Sequence, residues 1–541
     1  MKKNIINICL AFSVLIMNSC ENTSKKPLES SDYERAAKHL GQNLNKHLFN
    51  TVNFQSWDQE NFLLYNVKEK TETKGYRLNL QTKEIMPSLK LNKRKKQSSL
   101  IKRNEFVSPN GKLAAYIYNY NLWVRNIINN EKTQLTFDGK KDYGYATNNA
   151  GWVKSDGPVL KWSPKSDKIA TFKQDARGVG EMYLTTTNVG HPKLQAWKYA
   201  LPGDSKIFEI ERIIIDLKSS NKVIKLKMEN DFQRSTTTDH IAGRGGILLD
   251  TQWSEDGLKL AFVSSSRDHK EAHLQIADSK TGVVTSIFKE KTQTYYESGV
   301  RSENWKVLFE SNEFMWYSEK DNWGHLYLYD LQTKKLKNQI TKGNWLVRSV
   351  KHIDSLTREV FFTAGGKEEG NPYHVYLYKV DFDGSNLTCL TPEPGTHSIN
   401  ASPNWNYFVT TYSTTASPPI SVLKNRNGDK ITDLAIGDIT QLKKNKWQKP
   451  VEFSVKARDN RTDLFGLMYL PSFYNENEKY PVLNYIYPGP QSGSVGNYSF
   501  SVARRDYQAL AELGFVVVSV DAMGTPGRSK SFHDAYYGNM G

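Results

Sequence analysis

Phe106-Val107-Ser108-Pro109-Asn110-Gly111-Lys112-Leu113-Ala114-Ala115-Tyr116 has three relatives further along the same chain. They are Lys161-Trp162-Ser163-Pro164-Lys165-Ser166-Asp167-Lys168-Ile169-Ala170-Thr171-Phe172, then Gln252-Trp253-Ser254-Glu255-Asp256-Gly257-Leu258-Lys259-Leu260-Ala261-Phe262, and a weaker copy at residues 401–408. In each, an aromatic or apolar residue ends one strand, a tight turn rich in Ser, Pro, Asp and Gly follows, and an alternating strand leaves it. Strands of a second kind pair with these at residues 118–125, 325–334 and 374–380, the last two closed by hairpin turns. Small sheets of this sort bury both faces by stacking around an axis, which leaves no long exposed edge. A β-sandwich would account for any one window of about a hundred residues, but not for the same turn recurring from 108 to 403. The reading is an all-β propeller over residues 50–445, long enough for about seven or eight blades at ordinary blade length.

The rest of the chain is read outward from that block. Its 541 residues exceed what one core organises, so at least two domains are expected. Apolar residues make up 38%, with 29 Tyr, 23 Phe and 12 Trp, which excludes an unfolded chain and suits sheet. The net charge of +16 comes from lysines scattered along the sequence, not gathered into a stripe beside stacking aromatics. No nucleic-acid partner is expected on that distribution.

The N-terminus carries Lys2 and Lys3, an apolar run from Ile5 to Met17, and Ser19-Cys20. This is the pattern of a secretory signal, residues 1–19, too short for a folded membrane span. Met17-Asn18-Ser19-Cys20 resembles a bacterial lipoprotein cleavage box lacking its usual Leu, with Cys20 as the lipidated first residue and residues 20–32 as a polar tether. Ordinary secretion with a stray cysteine is the alternative. The location expected is the bacterial cell envelope, lipid-anchored or periplasmic. With Cys20 lipidated, Cys389 has no disulfide partner and reads as a small hydrophobe in a strand. Tyr33, Ala36, Leu40, Leu44 and Leu48 fall near one face of a helix over residues 33–49.

After Trp447 the texture changes. A hairpin (451–457 and 464–470), an apolar strand (480–487), helical spacing over 503–513 and a nearly continuous apolar strand (515–520) open a parallel α/β domain over residues 446–541. The last strand is expected to be covered on both faces. Such a sheet would keep an unpaired edge, so the chain is expected to stop short of a complete domain.

Several stretches together resemble the prolyl oligopeptidase superfamily of serine peptidases, in its dipeptidyl-peptidase IV-like branch. They are Gly151-Trp152-Val153 with Trp162-Ser163-Pro164, residues 199–204, residues 314–330, Lys479-Tyr480-Pro481-Val482, Tyr487-Pro488-Gly489-Pro490 and residues 520–528. The resemblance implies an eight-bladed propeller capping an α/β-hydrolase domain, with the early helix packed on the hydrolase side. It also implies cleavage of short peptides after proline or a small residue, by a Ser-Asp-His triad in that order. Peptide substrates and the membrane are the partners it brings, with a homodimer left open.

Two departures matter. No Gly-x-Ser-x-Gly occurs in the sequence, so the resemblance puts all three triad residues beyond Gly541. Asp521, Ser529, His533 and Asp534 match the loop before that elbow and are set aside as catalytic groups. Residues 151–159 lack the adjacent glutamates that hold a substrate's ammonium in this branch, and Glu181 does not match them. An oligopeptidase is therefore as well supported as dipeptidyl release. Tyr487 is the one catalytic residue assigned here: it matches the family tyrosine whose hydroxyl stabilises the tetrahedral oxyanion, its bland alternative being a strand-end packing residue.

No cofactor or metal is expected. No phosphate loop or dinucleotide fingerprint follows a suitable strand, and His269 and His273 flank a misplaced glutamate on what reads as a strand. The competing function is a lipid-anchored propeller that binds extracellular glycans or proteins without chemistry.

Overall fold

The computed structural model describes residues 27–58, 62–91, 101–102, 104–147, 157–219, 221–232, 248, 250–297, 304–487 and 489–539. The expected signal, Cys20 and residues 151–156 of the segment aligned with the glutamate pair lie outside these residues.

The four turns quoted above share one geometry. The amides of Ser108, Ser163, Ser254 and Ser402 each donate to the carbonyl five residues on, at 2.8 to 2.9 Å. Each serine hydroxyl accepts the amide of that same residue: Leu113 at 3.0 Å, Lys168 at 2.9 Å, Lys259 at 2.9 Å and Tyr407 at 3.1 Å. The fourth residue of each turn has positive φ (Gly111 71°, Ser166 60°, Gly257 72°, Trp405 56°). Glycine fills that position without strain at 111 and 257, while Ser166 and Trp405 take it in the other two copies.

Seven antiparallel sheets follow in chain order among the described residues: A (51–88), B (106–134), C (143–232), D (251–291), E (306–339), F (346–389) and G (396–436). Six have four strands in sequence order; C has a four-strand path with two short additions, and a separate hairpin, Glu181–Thr185 with Leu194–Lys198, leaves it. The sheets stack face to face through apolar side chains. Leu122 of B shares an apolar cluster with Trp162 of C, Phe172 of C with Phe262 of D, and Leu274 of D with Trp316 of E. Leu328 of E shares a cluster with Phe362 of F, and Phe361 of F with Phe408 of G. Leu63, Tyr65 and Leu78 of A pack on Val409 and Leu423 of G, which brings the first sheet against the last. Each buried large side chain contributes about 1.5–3 kcal/mol, so the stack has a propeller-like core of its own.

Charge bridges the same sheets. Arg358 of F reaches Glu313 of E at 2.8 Å, and Arg426 of G reaches Glu359 of F at 2.5 Å. Burial alone would raise the pKa of both glutamates, but hydrogen bonds from Arg358 and Lys337, and from Arg426 and Lys379, outweigh it and hold each at about 2.

The eighth sheet, H, is mixed. Its spatial order is Val451–Lys456, Asp463–Tyr469, Val516–Asp521, Val482–Tyr485; the last two are parallel and the other pairings antiparallel. Strand Val516–Asp521 is buried only at alternate positions, Val517, Ser519 and Asp521. The expected coverage of both faces is not met, because the helix packed on it, Tyr507–Ala511, covers one side. That helix is shorter than its spacing predicts, since Arg505 and Asp506 take positive φ and break its first turn.

The early helix starts at Ser30, three residues before the predicted start, runs to Lys38, and resumes at Gly41–Leu44. Ala36 and Leu44 are buried while Tyr33 stays exposed. It lies on sheet H's side of the molecule: Arg35 pairs with Glu512 at 3.2 Å, and the Gly41 amide donates to Asp506 at 2.7 Å. Among the described residues no helix is long and apolar enough to cross a membrane.

Candidate active site at the edge of the mixed sheet

Tyr487 follows the carboxyl end of Val482–Tyr485, and Asp521 ends the parallel neighbour Val516–Asp521. Ligands of open α/β sheets collect at the carboxyl ends of parallel strands. Asp521 is almost fully buried and accepts the Val495 amide at 2.9 Å. A Cβ on Gly493 would lie 2.4 Å from the Asp521 carboxylate, so only glycine permits this approach. Burial raises the Asp521 pKa, partly offset by the Val495 amide and Tyr498. The loop anchored in this way offers the Ser494 hydroxyl to the Tyr487 amide at 3.1 Å. Asp521 thus acts on Tyr487 through the loop and holds a structural position. The Tyr487 side chain is 44% exposed, and its hydroxyl has no hydrogen-bond partner among the described residues.

The other carboxyl-end residues are engaged in structure. Ser529 caps the short helix Lys530–His533, accepting the Phe532 amide at 3.3 Å. His533 Nε2 lies 2.9 Å from the Pro490 carbonyl. Asp534 takes a hydrogen bond from the Thr294 hydroxyl and pairs with Lys530 at 3.1 Å. Ser529, His533 and Asp534 form no nucleophile–base–orienter chain.

These residues instead join sheet H's final segment to the propeller-like stack. Lys530 Nζ donates to the Tyr295 carbonyl at 2.6 Å and lies 3.4 Å from Glu319. The Lys530 and Ser531 amides donate to the Asn322 carbonyl and side chain, each at 2.8 Å. Nearer sheet G, the Thr396 hydroxyl donates to the Tyr498 carbonyl at 3.0 Å, and Tyr373 of sheet F stacks on Tyr498 with ring centres 5.2 Å apart. Glu319 is 8% exposed; burial, reinforced by Glu297 and Asp534 and opposed by Lys530, raises its pKa to about 8.

The remaining predicted positions are apart from this edge. Glu181 is exposed on the projecting hairpin, 3.5 Å from Lys198. His273 points to Ser286 Oγ at 2.8 Å, whereas His269 sits in a turn against Tyr295. Cys389 is half-buried against the cluster joining sheets E and F. Two residues of this region escaped the sequence reading. Glu319 lies in a stretch noted only for its family likeness, and Arg348 sits at a register shift of an irregular strand with no motif around it.

The chain resembles proteins with this arrangement. A crystal structure of Porphyromonas gingivalis dipeptidyl peptidase 4 superposes with a TM-score of 0.67 at 19% identity, covering 90% of this chain and 64% of that one. The protein named "Probable dipeptidyl-aminopeptidase B" from Aspergillus fumigatus is 25% identical over 478 residues, 80% of this chain and 48% of its own length. The Aspergillus niger dipeptidyl-aminopeptidase B is 22% identical over 482 residues, again 80% of this chain and 49% of its own. The chain therefore spans about half the length of the curated relatives it matches. Residues 57–419, more than half of the chain, match the family described as "Dipeptidyl peptidase IV (DPP IV) N-terminal region", and the chain belongs to that family.

Proposed function

We propose that this chain belongs to a serine-type exopeptidase or oligopeptidase that cleaves short peptides after proline or a small residue, with its Ser-Asp-His triad in residues that follow Gly541. The observation that carries this reading is the placement of Tyr487 and Asp521. Asp521 ends one of two parallel strands of a mixed sheet and Tyr487 follows the other, at the edge that meets the propeller-like stack. On this reading the seven described sheets are propeller blades, of which the family resemblance implies eight, and the mixed sheet is the opening of an α/β-hydrolase domain.

Triad chemistry needs a nucleophile within reach of a base and a third group that orients the base. The 541-residue chain is expected to show no turnover of a fluorogenic proline-containing peptide and no labelling by a serine-directed phosphonate. The same reading frame continued past Gly541 is expected to show both. Labelling of the short chain, with contaminants excluded, would overturn the assignment.

The proposed location is the bacterial cell envelope, through lipidation of Cys20. Cys20→Ala should release the mature protein from the membrane fraction, and high salt should not, because acyl insertion rather than lysine charge holds it. An unmodified mature N-terminus with unchanged fractionation would exclude the anchor.

A further inference from the structure

Most arginines that lie deep in this molecule have a carboxylate in contact. Arg125 pairs with Glu105 at 2.6 Å and Arg212 with Asp231 at 2.5 Å, and the more exposed Arg358 and Arg426 likewise pair with Glu313 and Glu359. Arg348, on strand Leu346–Asp354 of sheet F, does not. Its Nη2 donates to the Pro372 carbonyl at a long 3.4 Å, and among the described residues its buried Nε has no partner and it joins no ion pair. Part of its surface remains open.

The backbone has made room for this side chain. A Cβ on Gly365 would sit 2.7 Å from Arg348 Nε, and one on Gly527 would sit 3.5 Å from Nη2. The guanidinium therefore lies between sheet F and the segment that follows Asp521. Asn304 fixes the strand beneath it, donating to the Arg348 carbonyl at 3.3 Å and accepting the Val350 amide at 2.9 Å. The buried Tyr373 hydroxyl lies in the same neighbourhood, facing Thr525 and Arg528. The nearby carboxylate of Asp521 favours the guanidinium charge from a distance but gives its hydrogen bond to the Val495 amide. That loop in turn touches Tyr487, so the guanidinium belongs to the same end of sheet H.

An arginine cannot shed its proton to escape an apolar site, and an unpaired buried charge is costly. A site that keeps one, with an orphaned Nε and only a long contact to Pro372, is built for an anion supplied from outside. The planar fork matches a carboxylate through two parallel N–H donors. We propose that Arg348 binds a carboxylate of the peptide substrate, either its C-terminal carboxylate or an acidic side chain. This rests on the peptidase reading above, and it adds a specificity determinant that acts in binding, not in bond cleavage.

Calorimetric binding to the 541-residue chain separates the two ideas, because it needs no turnover. The probes are Ala-Pro-Ala with a free C-terminus, the same peptide as its C-terminal amide, and Ala-Pro-Asp amide. The free acid is expected to bind about tenfold or more tightly than its amide. Restored affinity in Ala-Pro-Asp amide would assign the site to an acidic side chain, and its failure to restore affinity to the C-terminus. Arg348→Met should erase the preference for carboxylate while leaving amide binding in place, and Arg348→Lys should retain part of it. Equal affinities for all three peptides in the unmodified chain would overturn the proposal whatever the variants do. So would absence of measurable binding by any of them, or an unchanged preference in Arg348→Met with a native melting profile. Peptidase turnover in the longer protein alongside any of these results would leave the enzyme reading intact and remove this one.

Discussion

In the protein continued past Gly541, Tyr487→Phe should lower kcat by about 10²–10³ and leave KM nearly unchanged. The substitution keeps the ring that follows strand Val482–Tyr485 and removes only the hydroxyl, so a loss of this size reports the hydroxyl and not the packing. The side chain is already exposed, so a packing role would give the variant a near-normal rate. A neutral phenol can donate to charge that develops on a carbonyl oxygen, but it does not itself supply the attack. Its effect should therefore fall on the acylation barrier and vanish for peptides that bind without reacting. The support for Tyr487 is indirect and can be tested separately. Its amide rests on Ser494, and the Ser494 loop rests on Asp521. Asp521→Asn should disturb Tyr487 by loosening the loop, lowering kcat less than Tyr487→Phe does. Unchanged kcat in Tyr487→Phe returns the residue to a packing role and leaves the family membership untouched.

The fold was legible where local chemistry repeats. Ser108, Ser163, Ser254 and Ser402 each accept the amide five residues on, a purely local requirement, so the four turns could be aligned before any sheet was known. The packing of Leu63 on Val409 was not legible, because nothing in either strand names a partner more than three hundred residues away. The same limit explains the strand ending at Asp521. An apolar run shows that a strand can be buried, whereas the elements stacked on it decide whether it is. Val517 is buried and its neighbours Val516 and Val518 are only half so. The helix over 503–513 was over-read because helical spacing cannot reveal that Arg505 and Asp506 adopt positive φ. At the candidate site, Tyr487 was found through resemblance. Arg348 and the Glu319–Lys530 contact were missed because each depends on residues brought together from distant parts of the chain.

That contact should make the junction between sheet E and the final segment sensitive to alkaline pH. Glu319 is buried, and burial raises its pKa to about 8, with Glu297 and Asp534 adding repulsion and Lys530 opposing them. In the unfolded chain a glutamate titrates near 4.3. Between those values the folded protein holds a proton that the unfolded chain releases. The contribution to stability is therefore complete below about pH 4.3 and is lost as pH rises through about 8. Above that point Glu319 and Asp534 both demand Lys530, which lies 3.4 Å from one and 3.1 Å from the other and also donates to the Tyr295 carbonyl. One group can change stability by at most about 1.4 kcal/mol per pH unit. The effect should therefore appear as a progressive fall in Tm from pH 5 to 9, relative to Glu319→Gln. Glutamine fills the same space without ionising, so the difference between the two melting curves isolates this carboxyl from every other titrating group. Limited proteolysis should locate the change, with cleavage in residues 522–539 rising with pH in the unmodified chain and staying level in Glu319→Gln. Parallel melting curves and equal proteolysis across that range would show that Lys530 holds Glu319 ionised throughout, and the junction would then be a simple salt bridge.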